Sequence, residues 1–481
     1  MEDLSVELVK NRAIKGAAIL TVRNILIQAV SFFSIALLTF LLEPQDYGVF
    51  FIVSAVVSFL AYFGDIGFAA SLIQKKEKLQ DIELRTIFTA QQILVFSLVS
   101  IVFLLTPVIR NFYHFDNGAI YLLWALAFSL VLSSLKTIPT VLLERKLEFN
   151  KYIIPQILEV LVFNITAVFF AWRGFGVTSF TIAVILRGFV GLVSTYIVSP
   201  WIPRFAFSAS SFKSLLKFGI PYQANTFLAM IKDDGMTLFL GGTLGSSGIG
   251  LLGWAQKWAF APLRFFMDQV IKVTFPAFSR MQDNKKELSN ALSKSIFYIC
   301  LLVFPALTFL ILVAPSLVEV IPKYSKWSPA LLALSFLSIT SALAAVATPL
   351  TNAFNAIGKI SVTFKLMIMW TVLTWLFVPF LSSVFGVNGA AAGFALVGLS
   401  SVVVMFVALK YVEINYLKIV GKPLLVSVIT GGVVLVIRSS LQVSWQQVAF
   451  MCAGGLVTYF TTVLILEPKL LIFLKIKKRN A

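Results

Sequence analysis

Charge is scarce in this sequence. Asp, Glu, Lys and Arg together make up 12% of its 481 residues, against roughly 25% in a soluble globular chain, which excludes an ordinary water-solvated domain. Histidine occurs once, at His114, and cysteine twice, at Cys300 and Cys452, both in apolar runs. That inventory excludes a disulfide framework and a Cys/His metal centre. No nucleophile–histidine–acid set, no Walker loop and no G-x-G-x-x-G stretch occurs, so hydrolytic, nucleotide-dependent and dinucleotide chemistry have no residues to run on. His114, beside Tyr113 and Phe115, reads as an interfacial residue. The Gly-rich "GGTLGSSGIG" at 241–250 reads as a tight turn between spans.

What the chain has in abundance is apolar length. Hydrophobic residues make up 59% and aromatics 14%, and mean hydropathy is +0.93. A bilayer core needs about 20 apolar residues per helix. Windows of that length fall at 16–42, 49–72, 86–109, 118–143, 152–172, 176–199, 216–242, 248–275, 293–314, 329–355, 360–382, 386–410, 422–438 and 446–466. The expectation is an all-α polytopic membrane protein of about fourteen helices whose first span is retained rather than cleaved as a signal peptide. Lys and Arg alternate between the connecting segments, with 27 on the N-terminus, the tail and every second loop, and five (Arg110, Arg173, Lys323, Lys326, Arg438) on the others. This asymmetry places both termini in the cytoplasm. It also accounts for most of the formal charge of +18: the basic tail "KIKKRN" reads as topology and anionic-lipid contact, not as a nucleic-acid site.

No loop is long enough to form a domain. The polar connections around 200–215 and 276–292, with "SFKSLLKFG" and "DNKKELSNALSKS", read as amphipathic segments along the membrane surface. A weak internal repeat appears at an offset of 202, pairing Leu42 with Leu244, Gly48 with Gly250, Lys15 with Lys217 and Arg23 with Asn225. Six helices separate the copies, so both halves enter from the same side. That implies parallel repeats, an arrangement transporters use: an N-terminal lobe over 1–199, a cytoplasmic linker over 200–215, a C-terminal lobe over 216–410, and two extra helices with the tail over 411–481.

The stretch "FLLEPQDYGVFFIVSAVVSFLAYFGDIGFAASLIQKK" and the block "VTFPAFSRMQDNKKEL" resemble the polysaccharide transporter family of the multidrug/oligosaccharidyl-lipid/polysaccharide exporter superfamily, which includes the O-antigen and colanic acid flippases. The resemblance rests on Leu42, Pro44, Asp46, Tyr47, Gly48, Gly64, Gly67 and Leu72 to Gln74. These positions are specific to the fold rather than to one glycan. The resemblance implies a bacterial inner-membrane flippase for undecaprenyl-diphosphate-linked oligosaccharide, driven by a proton or sodium gradient with no bound cofactor. It also implies surface polysaccharide biosynthesis, membrane lipids as surroundings and a polysaccharide polymerase as a partner.

The charges inside the spans carry the chemistry. Seven are basic (Arg23, Lys136, Arg187, Lys232, Lys257, Arg264, Lys272) and five acidic (Asp65, Glu159, Asp233, Asp234, Asp268). A charge at such depth costs several kcal/mol and normally faces a polar cavity or a partner. At about 100° per residue, Lys257, Arg264, Asp268 and Lys272 share one face of a helix. An excess of cations suits a diphosphate. Arg23, Arg187, Lys232, Lys257, Arg264 and Lys272 are therefore the candidate substrate-binding residues of a cationic central cavity. Asp233, Asp234, Asp268 and Glu159 are the ion-coupling candidates, and Trp254 and Trp258 are candidates to stack on sugar rings. Lys136 and Glu159 are also suited to a structural bridge. In "IKDDG" three consecutive charges interrupt an apolar run, and Gly235 after them permits a bend.

Three readings compete with the flippase. A drug or cation antiporter of the same superfamily calls for a cavity rich in acid, and here base exceeds acid. A membrane glycan polymerase calls for a large external catalytic loop, which the sequence lacks. A peptidoglycan-precursor flippase carries the same diphosphate, and charge does not separate it from the first reading.

Overall fold

The computed structural model describes residues 6–65, 67–75, 77, 79–213 and 227–468. The side chains of Lys10, Arg12, Lys15 and Asp65, the residues Lys217 and Asn225, the start of the span expected from 216, and the basic tail all lie outside the described residues.

Among the described residues every regular element is helical. They are α1 (Val6–Leu41), α2 (Pro44–Asp65), α3 (Phe68–Gln74), α4 (Asp81–Tyr113), α5 (Asn117–Leu135), α6 (Thr137–Arg145), α7 (Phe149–Trp172) and α8 (Thr178–Val198), then α9 (Met236–Arg280), α10 (Lys285–Val320), α11 (Leu331–Ala356), α12 (Ile360–Leu399), α13 (Ser401–Ala408), α14 (Tyr416–Ser440) and α15 (Trp445–Leu466). Twelve continuous segments are long and apolar enough to cross a membrane, so the protein is a multi-pass membrane protein. The sequence reading of about fourteen spans and this count part at two places, where two successive helices run on from one another across a kink. Phe227–Arg280 and Ile360–Ala408 are single runs of 54 and 49 residues, each interrupted by a glycine off helical geometry: Gly245 at φ 68° and ψ 178°, and Gly386 at φ 59° and ψ −136°. Positive φ at these breaks is open to glycine at little cost.

Two short helices depart from the expected span ends. The span expected over 49–72 ends at Asp65; Gly67, at φ 77°, turns the chain into α3. The span expected over 118–143 ends at Leu135, and Lys136 turns it into α6. Lys136 therefore sits at a helix junction rather than inside a span. Phe68 and Leu72 of α3 pack with Ile138 and Val141 of α6 in one buried cluster. The Arg145 guanidinium holds the end of α3 by donating to the carbonyls of Leu72 at 2.5 Å, Lys75 at 2.6 Å and Glu77 at 3.0 Å. These are terminal C=O groups that no helix bond satisfies. The linker runs extended over 201–208 along α4, with the Ala206 amide donating to Thr89 Oγ1 at 3.1 Å and the Ser208 amide to Thr86 Oγ1 at 3.0 Å.

The chain forms two compact units, Met1–Gly250 and Leu251–Ala481. In the first, the segment before Gly250 packs on α2 and α4. The Tyr113 hydroxyl donates to the Leu238 carbonyl at 3.1 Å. A Cβ built on Gly48 would lie 1.6 Å from the Ser246 carbonyl oxygen, and one on Gly250 would lie 1.7 Å from the Pro44 oxygen. The two approaches exchange under the same offset of 202 that aligns Gly48 with Gly250 and Pro44 with Ser246, the form a self-complementary contact takes. Backbone this close tolerates only hydrogen at the α-carbon. Gly48→Ala is expected to destabilise the purified protein by about 1–3 kcal/mol or more in a thermal unfolding assay. Gly64→Ala serves as the control, because its nearest neighbour to a new Cβ is the Val95 side chain at 3.4 Å, and it should stay near the parent.

The second unit buries a continuous core around Leu263 and Met267 of α9, Ile296, Cys300 and Val303 of α10, and Leu350 and Phe354 of α11. On α9 the residues Leu252, Ala255, Ala259, Leu263 and Met267 are buried, close to the i, i+4 rhythm of one helix face. That burial fixes what the opposite face presents.

Candidate functional site

In the first unit the polar side chains collect on one face of α7. Tyr152, Gln156, Glu159 and Phe163 follow one another at spacings of four, three and four, which stacks them along one side of a helix. Arg23 of α1 reaches this face and donates through Nη1 to Gln156 Oε1, while its Nε and Nη2 donate to Asn24 Oδ1 at 3.0 and 2.5 Å. Further along the face, Glu159 is buried between two cations. Lys136 pairs with its Oε1, and Arg187 Nε of α8 stands 3.6 Å from its Oε2. The Arg187 guanidinium also lies over the Phe163 ring, 5.9 Å from its centroid. The Lys136–Glu159 bridge anticipated from the sequence is thus formed, with a second cation beside it.

The room for Glu159 comes from α8. A Cβ on Gly191 would stand 2.2 Å from Glu159 Oε1 and 2.6 Å from its carboxyl carbon. Arg187 and Gly191 lie four residues apart on α8, so one helix face supplies both the second cation and the space for the carboxylate.

"IKDDG" forms a single π-helical turn, Ile231–Gly235. Such turns insert an extra residue into a helix and recur at functional sites. Lys232 pairs with Asp233 at 2.5 Å, and the Thr237 hydroxyl donates to the Asp233 carbonyl at 2.9 Å. Asp234 is half-buried and has no ion-pair or hydrogen-bond partner among the described residues. The three charges therefore separate into a local pair and a lone carboxylate.

In the second unit Lys257, Arg264, Asp268 and Lys272 are all exposed on the face of α9 opposite the buried row. Lys257 and Arg264 lie within electrostatic reach of each other. Among the described residues, neither Arg264 nor Lys272 has a carboxylate within ion-pair distance, and the pairing of Arg264 with Asp268 that i, i+4 spacing permits is not made. Trp254 is 4% exposed and stacks on the fully buried Trp327, with centroids 5.3 Å apart and planes at 16°, so its ring is covered in this conformation. Trp258 is half-buried and meets Trp254 edge-on at 6.5 Å. No group of three His, Cys, Asp or Glu among the described residues is placed to hold a metal.

Gln156, Tyr152 and Gly191 are absent from the candidates named from sequence. The spacing of Tyr152, Gln156 and Glu159 carried a usable signal, because three polar groups on one face of an apolar helix need a common explanation. Gly191 carried none, since its role depends on a side chain of another helix.

The profile of a family described as "Polysaccharide biosynthesis protein" matches residues 37–332. Among curated proteins, the chain is 25% identical over 267 residues to the succinoglycan biosynthesis transport protein ExoT of Rhizobium meliloti, a match spanning 55% of this chain and 53% of that protein. It is 23% identical over 410 residues to the lipopolysaccharide biosynthesis protein WzxC of Escherichia coli, covering 82% of this chain and 80% of the relative. Among solved structures, the lipid II flippase MurJ in an inward closed conformation superposes with a TM-score of 0.75 at 16% identity, over 93% of this chain and 100% of that one. An inward-facing multidrug resistance transporter of the MATE family gives 0.63 at 16% identity, over 80% and 94%. At these identities the two structures share the fold alone.

Proposed function

The chain belongs to the polysaccharide biosynthesis protein family, a family of membrane transporters, and from that premise we propose that it flips a polyprenyl-diphosphate-linked oligosaccharide across the bacterial inner membrane for surface polysaccharide assembly. The observation that carries this reading is the exposed face of α9, where Arg264 and Lys272 stand without a carboxylate partner among the described residues, in the candidate membrane segment Phe227–Arg280. A cation at membrane depth costs about 2.5–3.5 kcal/mol even on the mildest scale, so a helix keeps such a face for an anion that visits it. A diphosphate supplies that anion. Arg264 offers it a planar fork, and Lys257 and Lys272 offer point charges. The names of ExoT and WzxC favour a glycan cargo over a drug. The oligosaccharide passes along this cationic face, the polyprenyl tail stays in lipid, and the product is handed to a polymerising activity on the far side.

Binding of farnesyl diphosphate to the purified protein, with farnesol as the uncharged control, tests the head-group assignment. The diphosphate should bind more tightly, with affinity falling as salt rises. Equal binding of the two probes contradicts the proposal.

Coupling falls to Asp234, the lone half-buried carboxylate of the π turn. Asp234→Asn is nearly isosteric and removes the charge. Transport by this variant, in vesicles with an imposed proton or sodium gradient, is expected to proceed at a rate independent of the gradient. An unchanged gradient response removes Asp234 from the coupling role.

A further inference from the structure

We propose that Lys136 and Gly191 are positioning residues that leave the Arg187 guanidinium available to an anionic head group, by holding the Glu159 carboxylate on Lys136 instead. The proposal rests on the flippase reading and adds a second anion-receiving group in the Met1–Gly250 unit.

Three facts carry it. The first is how Glu159 is shared. Its Oε1 is hydrogen-bonded by the Lys136 ammonium, whereas Arg187 Nε stands 3.6 Å from Oε2, beyond the 2.7–3.2 Å of an N–H···O bond. The carboxylate is therefore committed to Lys136. The second is the state of Arg187. Its side chain is 51% exposed while that of Glu159 is 11% exposed, and it makes no hydrogen bond among the described residues. Phe163 backs one face of the guanidinium, which holds the plane while leaving its edge donors open for bidentate contact. The third is the space. Gly191, one helical turn from Arg187, lets α8 approach until a Cβ would stand 2.2 Å from Glu159 Oε1. A side chain there would push the carboxylate out of its place beside Lys136.

Lys136, Glu159 and Arg187 sum to one positive charge, and geometry concentrates it on the exposed member. Removing Lys136 leaves Glu159 with Arg187 as its remaining cation. Carboxylate and guanidinium then close into a neutral pair, and the anion site is lost although Arg187 itself is untouched. A structural bridge makes a different prediction, because deleting Lys136 would then act through stability alone.

The experiment measures the affinity of the purified full-length protein for farnesyl diphosphate in six forms: wild type, Lys136→Ala, Lys136→Arg, the Lys136→Ala/Glu159→Gln double variant, and Arg187→Ala with and without Lys136→Ala. Folded state is read from size-exclusion behaviour. Lys136→Ala is expected to weaken binding about tenfold, Lys136→Arg to stay within about threefold of wild type, and Glu159→Gln to restore the Lys136→Ala protein to within about threefold. In the Arg187→Ala background, Lys136→Ala should have no further effect, the non-additivity expected of residues acting through one group. Folded Lys136→Ala protein with unchanged affinity overturns the proposal, as does failure of Glu159→Gln to restore it. A wild type that binds farnesyl diphosphate no better than farnesol overturns the flippase reading instead, so the two failures are distinguishable.

Discussion

Arg264→Ala protein is expected to insert and fold like the parent and to transport its cargo roughly ten- to a hundredfold more slowly. The size follows from losing hydrogen bonds to a charged group, worth about 1.5–3 kcal/mol, at about 1.4 kcal/mol per factor of ten. Preserved stability follows from the geometry: Arg264 is exposed on α9 and makes no ion pair among the described residues, so its removal strands no carboxylate that it had neutralised. A structural Arg264–Asp268 pair predicts the reverse, with each single variant unstable and the Arg264→Ala/Asp268→Ala double variant recovering. Under the present account the double variant transports no better than Arg264→Ala. Arg264→Lys keeps the charge and loses the planar fork, and should fall between the two. Transport rates in reconstituted vesicles beside melting temperatures in detergent separate the alternatives.

Glu159→Ala is expected to do the opposite, lowering stability first. Its carboxylate is buried with Lys136 against it and Arg187 on its other side. Breaking a buried pair by removing one partner costs about 3–5 kcal/mol. The lower end applies here because Arg187 is half exposed, so the loss falls mainly on Lys136. Glu159→Gln keeps the volume and an acceptor for Lys136 and should lose less. Gly191→Ala should act in the same direction as Glu159→Ala, since its Cβ meets the same carboxylate. Thermal unfolding of the three proteins should place Glu159→Gln nearest the parent. A Glu159→Ala protein as stable as wild type would show that the two cations need no partner there.

Hydropathy alone carried the all-helical membrane class, because lipid imposes one requirement on every span. The interruption near 245 was also readable, since "GGTLGSSGIG" is a turn in any context, and Gly245 is where the backbone leaves the helix. The short helices α3 and α6 were not readable. Their apolar residues, Phe68 to Ile73 and Ile138 to Leu143, continue the runs of the spans they follow, and only the turns at Gly67 and Lys136 separate them. The charges of "IKDDG" announced an irregularity without its form, because a π turn depends on backbone register rather than composition. The stripe on α9 was legible as a helical face. The absence of an Arg264–Asp268 pair was not, because i, i+4 spacing permits a bridge without requiring it. Gly191 was invisible for a related reason: sequence spacing does not reveal that α8 meets Glu159 there.

The central claim is that a cationic face inside the membrane passes the diphosphate of a lipid-linked glycan. Its most direct test is flipping itself, in vesicles reconstituted with the purified protein and a polyprenyl-diphosphate oligosaccharide placed in one leaflet, read by how fast the sugar becomes accessible to an impermeant reagent on the other side. The account predicts that wild-type protein makes the sugar accessible, that the Arg264→Ala/Lys272→Ala protein does so at least about tenfold more slowly, and that an uncharged polyprenyl glycoside is not carried. Equal rates for the wild type and the double variant, or for the charged and uncharged lipids, would contradict it.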